Sequence, residues 1–520
     1  MTGSDLVQEK AYGQSKVYTQ SKVYTMERLK PIMLGGTGSD VGKSVLAAGL
    51  CRIFLQDGYS PAPFKAQNMA LNSYVTPDGL EIGRAQAVQA EAAGVECMAE
   101  MNPVLLKPSG KMTSQVVLNG LPVGNKDAYD YFRKENKEPL RREVHAAFDR
   151  LSIRYNPIVM EGAGSIAELN LRDSDIVNMS MAAYADAAVI LVADIDRGGV
   201  FASAYGSIML QKEEDRKRIK GIIVNKFRGD EKLFEQGRKM MEKICGVPVI
   251  GVVPYLDDIH IEEEDSVSLA KKSNVHTEEN LINVAVVATP HISNFTDFDT
   301  ISRDPRVHLY FTSEPAELLN ADVIILPGSK NTLSDLKAIQ TNGCADAIIT
   351  ASALGRSVMG ICGGYQMMGE SVDDPDGVEG EPDSMAGLGL LPVNTVLKGS
   401  KTVRRVRFTM DGCTDLNYGY EIHMGISTLE NGASPMVIKE DGSVDGCRVS
   451  EMVCGSYIHG ILDNTGVIDM LLKPHALSKG LPESGNVEPY REYKERQYDA
   501  LAQRLRDCLD IDLLYKIMRE

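Results

Sequence analysis

The chain has 520 residues, which is long enough to bury more than one hydrophobic core and to form two or more domains. Its 55 Lys and Arg residues are outnumbered by 72 Asp and Glu residues, and the formal charge of −17 argues against nucleic acid or an anionic membrane as the main partner. Nine cysteines without a Cys-x-x-Cys pair argue against a zinc or disulfide framework, and the longest apolar runs have strand length, so we expect a cytoplasmic protein without membrane spans.

The N-terminus carries a polar tandem repeat. The hexapeptide at residues 14–19 recurs at residues 20–25 and presents no apolar face that a helix or strand could bury. Apolar sequence begins just after Lys30. We therefore expect residues 1–29 to form a disordered extension, with Met26 as a candidate start.

A glycine-rich loop follows the first predicted strand, residues 32–34, and precedes a helix predicted for residues 45–56. A strict phosphate-binding loop has glycine where this chain has Thr37, so the match is a variant, and an ordinary glycine-rich turn is the alternative. Lys43 would supply positive charge for the β- and γ-phosphates, and the Ser44 hydroxyl would bind Mg²⁺. The loop residues that we expect to contact a nucleotide are Gly36, Thr37, Gly38, Gly42, Lys43 and Ser44.

Further apolar strands alternate with helical stretches, which indicates a parallel sheet covered by helices. Ligands of such sheets bind at the carboxyl ends of the strands. Two side chains at such ends fit the same site, Glu161 as a second Mg²⁺ ligand and Asn225 as a residue that recognises adenine. A side chain without a ligand is the alternative for each. These strands are predicted at residues 158–160, 188–193, 221–224 and 249–252.

A charged segment poor in apolar residues separates this region from a second series of strands, which again indicates an α/β domain. The series begins at residues 282–287 and continues at 322–326 and 357–361. From Tyr498 onward, apolar residues recur at helical spacing, which predicts a docking helix. The expected domains span residues 30–265 and 281–470, with a linker at 266–280 and a C-terminal helical tail at 471–520.

One cysteine lies on a predicted sharp turn between a strand and a helix. Residues 360–364 read Gly-Ile-Cys-Gly-Gly, and glycines on both sides of Cys362 let the chain turn tightly and expose the sulfur as a nucleophile. His459 follows another apolar strand and would serve as its base. This pair predicts attack on a carbonyl carbon, and a buried structural cysteine is the alternative.

Several segments together resemble the cobyric acid synthase family, which is a family of glutamine-hydrolysing enzymes of cobalamin biosynthesis. The nucleotide loop is similar to that of dethiobiotin synthetase, and residues 64–73 differ from the aspartate-containing stretch of cobyrinic acid a,c-diamide synthase. The resemblance implies a P-loop NTPase-like, dethiobiotin synthetase-like parallel sheet followed by a class I glutamine amidotransferase-like α/β domain. The segments that carry it are residues 36–44, 64–73, 81–86, 101–108, 326–332, 360–364 and 419–425.

The resemblance also implies a reaction. It is the amidation of the b, d, e and g carboxylates of adenosylcobyrinic acid a,c-diamide to give adenosylcobyric acid, with ATP and Mg²⁺ as cofactors. Glutamine and the corrinoid are the implied substrates, and the backbone N–H groups of Gly328 and Gly363 would bind the oxyanion formed at Cys362. The alternatives are a cobyrinic acid a,c-diamide synthase and a non-catalytic P-loop ATPase switch or regulator.

The chain departs from class I amidotransferases after the histidine. They usually carry a glutamate two residues later, where this chain has Ile461, and the next acid is Asp463. We therefore predict a Cys362–His459 dyad in which the Asp463 carboxylate does not reach the imidazole. Basic candidates for contact with the corrinoid carboxylates, each with a solvated surface charge as the alternative, are Lys65, Arg84, Lys107, Arg172 and Arg197.

Overall fold

A computed structural model describes residues 27–108, 113–127, 134–262, 277–411, 413–430 and 432–520. Most of the expected N-terminal extension and most of the expected linker lie outside these residues. No helix in the described ranges is long and apolar enough to cross a membrane.

The N-terminal half is built on a six-stranded parallel sheet. The described strands of this half, inside and outside that sheet, are β1 (Ile32–Gly36), β2 (Ala62–Phe64), β3 (Gln67–Met69), β4 (Ser73–Val75), β5 (Glu81–Gly83), β6 (Val104–Pro108), β7 (Thr113–Leu118), β8 (Leu121–Asp127), β9 (Ile158–Glu161), β10 (Ala188–Asp194), β11 (Ile219–Phe227) and β12 (Val249–Pro254). Its described helices are α1 (Lys43–Gln56), α2 (Arg84–Ala92), α3 (Lys134–Arg154), α4 (Met179–Tyr184), α5 (Val200–Met209), α6 (Glu213–Arg216) and α7 (Glu235–Cys245).

The strand order of this sheet, β12-β11-β10-β1-β9-β2, positions the phosphate loop. Strand β1 lies between β9 and β10 and pairs with both in parallel, so the loop after β1 lies beside the carboxyl ends of its neighbours. All residues of β10 are buried, as expected for a strand covered by helices on both faces. Every strand predicted for this half is present in the sheet, and the predicted helix after the loop is α1.

The C-terminal half contains a second six-stranded sheet. The described strands of this half, inside and outside that sheet, are β13 (Ile282–Val287), β14 (Ile292–Ser293), β15 (Val307–Thr312), β16 (Val323–Leu326), β17 (Gly328–Ser329), β18 (Ser357–Ile361), β19 (Ser371–Asp374), β20 (Asp383–Ala386), β21 (Val393–Met410), β22 (Cys413–Leu429), β23 (Val437–Lys439), β24 (Val444–Asp445), β25 (Cys447–Arg448) and β26 (Val453–Ser456). Its described helices are α8 (Pro315–Leu319), α9 (Thr332–Thr341), α10 (Cys344–Ala353), α11 (Gly363–Met367) and α12 (Thr465–Lys479).

The second sheet has the order β15-β13-β16-β18-β26-β25, and its strands are parallel except for the edge strand β25. Strands β18 and β26 are neighbours, so Cys362, directly after β18, and His459, three residues after β26, meet at one edge. The long hairpin of β21 and β22 was not predicted. It contributes to this edge because Tyr420 of β22 bridges to His459.

The chain returns to the N-terminal half through two helices, α13 (Tyr490–Cys508) and α14 (Ile511–Arg519). Helix α13 packs on α1 so closely that a Cβ on Gly49 would collide with Leu505. The predicted docking helix is therefore present. The expected boundary at 470/471 falls inside α12, whose buried residues belong to the core of the second half, so the docking segment begins later.

The two halves meet along the β4–β5 hairpin. Lys401 of β21 forms an ion pair with the buried Glu81 of β5, which also pairs with Lys107 at 2.7 Å. Arg405 of β21 donates from Nε to the carbonyl oxygen of Val75 at 2.9 Å. The hairpin therefore makes polar contacts with both halves of the protein.

Replacement of Gly49 by valine should destabilise the protein by about 1–3 kcal/mol, because the new side chain overlaps Leu505 in a packed contact. Denaturant unfolding of the full chain measures this change. Adding Leu505→Ala should reduce the cost of Gly49→Val, and an equal cost in both backgrounds would contradict this packing argument.

Two candidate active sites

The phosphate loop closes around Lys43. Its Nζ donates to the carbonyl oxygens of Gly38 and Gly164, each at 3.0 Å, so the ammonium group lies across the loop. A Cβ on Gly36 would lie 2.7 Å from both Lys43 Nζ and Gly164 O, and Gly42 has a φ of 94°. The glycines at these two positions are therefore required by close approach and by a left-handed backbone. The loop fits a phosphate group held by Lys43 and the N-terminus of α1.

Ser44 and Glu161 come together as the sequence predicted. Ser44 Oγ donates to Glu161 Oε1 at 2.8 Å, close to the separation of about 2.9 Å between adjacent ligands of an octahedral Mg²⁺. Glu161 also accepts from Lys65 at 2.9 Å and from Gln89 at 2.7 Å. Burial raises the pKa of Glu161, but Lys65 and Gln89 outweigh burial and lower the pKa overall. The carboxylate is therefore held ionised, which suits a metal ligand.

Asn225 lies against the phosphate loop. Its Nδ2 donates to the carbonyl oxygen of Val41 at 2.8 Å, so one end of the amide supports the loop backbone. Thr37, at the position where a strict loop has glycine, donates its backbone N–H to the carbonyl oxygen of Val192 at 3.0 Å and extends the strand pairing of β1. Contact of Asn225 with adenine stays a prediction.

Cys362 occupies a strained turn. Its φ of 52° and ψ of −108° are unusual for a residue with a side chain, and such a conformation costs roughly 1–3 kcal/mol. The flanking glycines are fixed by packing, because a Cβ on Gly364 would collide with the carbonyl oxygen of Leu326. The Sγ atom lies 3.6 Å from the carbonyl oxygen of Ile422. Cys362 is buried, and β22 covers the sharp turn that carries it.

Gly328 and Gly363 border the same point. A Cβ on Gly328 would lie 2.7 Å from His459 Cε1, and a Cβ on Gly363 would lie 2.8 Å from the backbone nitrogen of Ser329. Strand β17, the cysteine turn and the histidine therefore converge. The use of their backbone N–H groups to bind an oxyanion stays a prediction.

The structure corrects the prediction of a dyad. Asp297 Oδ2 lies 2.7 Å from His459 Nδ1, and Asp297 Oδ1 accepts the backbone N–H of Gly460 at 2.9 Å. Asp297 is 2% exposed and His459 is 1% exposed. Burial lowers the pKa of His459, but the Asp297 carboxylate and Cys362 outweigh burial and raise it to about 10. Asp297 thus holds the imidazole from the side opposite Cys362.

Asp463 has a different partner. Its Oδ1 accepts from Thr300 Oγ1 at 2.9 Å, and within the described residues it makes no hydrogen bond to the imidazole. Burial raises its pKa to about 8. The sequence does carry a signal for Asp297, which is an acid flanked by apolar residues. Asp297 lies beyond the first strand of the second sheet, between the core side chains of Phe295 and Phe298.

The predicted basic candidates are mostly paired within the protein. Lys65, Arg84 and Lys107 form buried ion pairs with Glu161, Glu262 and Glu81, respectively. Arg172 donates to the carbonyl oxygen of Leu210, and Arg197 pairs with Asp40 near the surface.

Two further lysines at the junction of the halves, Lys330 and Lys401, were not predicted from the sequence. Burial lowers the pKa of Lys401 to about 8, although Glu81 opposes this change. Burial and the nearby Lys107 lower the pKa of Lys330. The junction therefore carries more positive than negative charge around Glu81.

Two protein-family descriptions match the chain. The CobQ/CobB/MinD/ParA nucleotide binding domain matches residues 32–269, and the CobB/CobQ-like glutamine amidotransferase domain matches residues 283–467. These matches confirm the predicted order of a P-loop NTPase-like domain followed by an amidotransferase domain.

Relatives match over almost the whole chain. A cobyric acid synthase of Phocaeicola vulgatus is 62% identical over 494 residues, covering 95% of this chain and 99% of the relative. A cobyric acid synthase of Parabacteroides distasonis is 52% identical over 500 residues, with the same coverage of both chains. A crystal structure of a glutamine amidotransferase is 16% identical with a TM-score of 0.28 and covers 38% of this chain and 97% of that chain.

Replacement of Asp297 by asparagine should lower the pKa of His459. Tyr420 and His423 also lie close to the His459 ring, but Asp297 and Cys362 are the acids that raise its pKa. NMR titration of the histidine ring carbons measures this. The control is Asp463→Asn, since Asp463 contacts Thr300 and should leave the His459 pKa unchanged.

The Asp297–His459 pair should also change how the folding stability depends on pH. The folded-state pKa of His459 lies above its ordinary value of 6.5, so the pair stabilises the fold fully below pH 6.5 and loses this contribution as pH rises through about 10. The stability advantage of the wild type over Asp297→Asn should shrink across that window. An advantage that grows with pH would contradict the pairing.

Proposed function

This chain belongs to the cobyric acid synthase family and is a glutamine-dependent ligase of cobalamin biosynthesis, and we propose that it makes adenosylcobyric acid from adenosylcobyrinic acid a,c-diamide. In this proposal four carboxylates, b, d, e and g, are amidated with ATP and ammonia from glutamine. The observation that carries it is the presence of two complementary sites in one chain, a phosphate loop and a Cys–His–Asp arrangement, joined by the β4–β5 hairpin. We also place the enzyme in the cytoplasm, on its composition.

The N-terminal site supports activation of a carboxylate. A carboxylate is a poor electrophile at neutral pH, so ATP would convert it to an acyl phosphate before nitrogen attack. Lys43 would hold the phosphate groups, and Ser44 and Glu161 would hold Mg²⁺. When bound, Mg²⁺ supplies neutralisation of charge on the phosphate oxygens. Lys65, now paired with Glu161, is positioned to keep that carboxylate ionised.

The C-terminal site supports release of ammonia. The Cys362 thiol gives its proton to His459, and the thiolate adds to the amide carbon of glutamine. Backbone N–H groups of Gly363 and Gly328 would bind the resulting oxyanion. The protonated His459 then gives its proton to the departing nitrogen, and water hydrolyses the thioester to glutamate and the free thiol. Asp297 keeps the imidazole in the tautomer that this sequence needs.

The two sites are needed together because ammonia is mostly protonated at neutral pH. Ammonia released at Cys362 can attack the acyl phosphate before it takes up a proton, giving the amide and inorganic phosphate. The experiment that tests the proposal is mass spectrometry of the corrinoid product formed with ATP and glutamine, counting amide additions. Four additions to the a,c-diamide support it, and two additions to cobyrinic acid would instead indicate an a,c-diamide synthase.

Replacement of Cys362 by alanine should abolish glutamine-dependent amidation and leave amidation with high ammonium at alkaline pH, because only the nitrogen source is lost. Corrinoid product formation with each nitrogen source measures this. The matched comparison is Cys454→Ala, since Cys454 is buried on the neighbouring strand and should retain both activities. Loss of both activities in Cys362→Ala would assign this residue a structural role.

Replacement of Lys43 by alanine should remove amidation with either nitrogen source, because activation of the carboxylate precedes nitrogen attack. The loss should reach about three orders of magnitude or more, because one cation at the transferring phosphoryl group contributes roughly 10³-fold or more. Corrinoid turnover with ammonium measures it. Undiminished turnover in this variant would contradict the assignment of the loop.

A further inference from the structure

Asn294 of the C-terminal half lies next to the histidine of the candidate glutaminase site. It precedes Phe295 with a φ of 53° and is 3% exposed. Its Nδ2 is 3.2 Å from His459 Nε2. That nitrogen is the one that must take the proton of Cys362.

The N-terminal half fixes the orientation of this amide. Asn294 Oδ1 accepts the backbone N–H of Ser73 at 3.0 Å, and the backbone N–H of Asn294 donates to Asn72 Oδ1 at 2.6 Å. Because the amide oxygen faces Ser73, the amide NH₂ group faces His459. Both Asn72 and Ser73 are buried, so these hydrogen bonds are shielded from water.

An amide N–H directed at Nε2 requires that nitrogen to be unprotonated. The active pair requires the opposite, a proton on Nε2 and a thiolate on Cys362. Cys362 Sγ lies 3.6 Å from the carbonyl oxygen of Ile422, and the Cys362 side chain also interacts with His459. Asp297 favours the protonated imidazole and Asn294 opposes it. The Asn294 amide therefore competes with the Cys362 thiol for the imidazole.

We propose that Asn294, held by Asn72 and Ser73, is a positioning residue that keeps His459 from activating Cys362 until the N-terminal half moves this segment. The inference rests on the proposed function, since it assigns the control of glutamine hydrolysis to the half that activates the carboxylate. It explains how glutamine would be spared when no acyl phosphate is present.

The contacts of helix α2 connect this segment to the nucleotide site. Gln89 of α2 donates to Glu161, beside Ser44 of the phosphate loop. Arg84, the first residue of the same helix, donates its backbone N–H to the carbonyl oxygen of Asn72 at 3.3 Å. A displacement of Glu161 can therefore move Asn72 through one short helix.

The test replaces Asn72, which does not touch His459, by alanine. Asn72→Ala should raise glutamine hydrolysis without corrinoid and ATP by about three- to ten-fold, the effect of losing one hydrogen bond. It should also lower the number of amides formed per glutamine hydrolysed. The direct readout is the rate of alkylation of Cys362 by iodoacetamide at neutral pH, which reports the thiolate and should rise by a similar factor.

Two further variants keep the test specific. Asn294→Gly removes the amide NH₂ group and tolerates the positive φ, so its alkylation rate should also rise. Arg405→Ala removes other hydrogen bonds across the same interface, to Val75 and Glu96, and should leave the alkylation rate as in the wild type.

An alkylation rate that is unchanged or lower in folded Asn72→Ala and Asn294→Gly would overturn the inference, as would an equal rise in Arg405→Ala. Ammonia-dependent amidation and melting temperature verify that each variant is folded. A wild-type chain that hydrolyses no glutamine even with corrinoid and ATP would contradict the proposed function itself. An active wild type with unresponsive variants would contradict only the control by Asn294.

Discussion

The pairing of the buried Asp297 carboxylate with His459 is the interaction on which the arrangement of the second site depends. A carboxylate removed from water is costly unless it is paired and hydrogen-bonded, and here one oxygen faces His459 while the other accepts the N–H of Gly460. These two bonds fix both the ring and the turn that carries it. The neighbouring strands β18 and β26 then need only place Cys362 at the opposite nitrogen.

Charge pairing also joins the two halves. Glu81 is fully buried between Lys107 of its own half and Lys401 of the other, and burial raises its pKa less than these two ammonium groups lower it. Arg84 and Glu262 form a second buried pair within the N-terminal half, and Tyr74, which lies beside Arg84, packs edge-on against Tyr420 of the other half. Separating the halves would leave the buried Lys401 without its carboxylate partner, so this ion pair favours the joined arrangement.

The sequence predicted those parts that depend on local pattern. The parallel strands follow from short apolar runs, and the phosphate loop and the turn at Cys362 follow from glycine spacing, which the structure explains by close approaches at Gly36 and Gly364. It failed where partners are distant in sequence. Asp297 lies 162 residues before His459, and the strands of the β4–β5 hairpin are too short to show a period. The nucleotide and oxyanion roles of individual residues stay predictions because they concern ligands, not the fold.

The return of the last two helices to α1 has a consequence for biosynthesis. Leu501, Leu505 and Met518 belong to the same hydrophobic cluster as Leu46 and Leu50 of α1. The first half leaves the ribosome long before residue 518 has been made, so during synthesis this cluster lacks the side chains that α13 and α14 contribute. This core therefore cannot be completed until residue 518 has been made, although its first strand and helix are synthesised early. The second sheet, whose core is built from residues 282–476, can close before the core beneath α1 is complete.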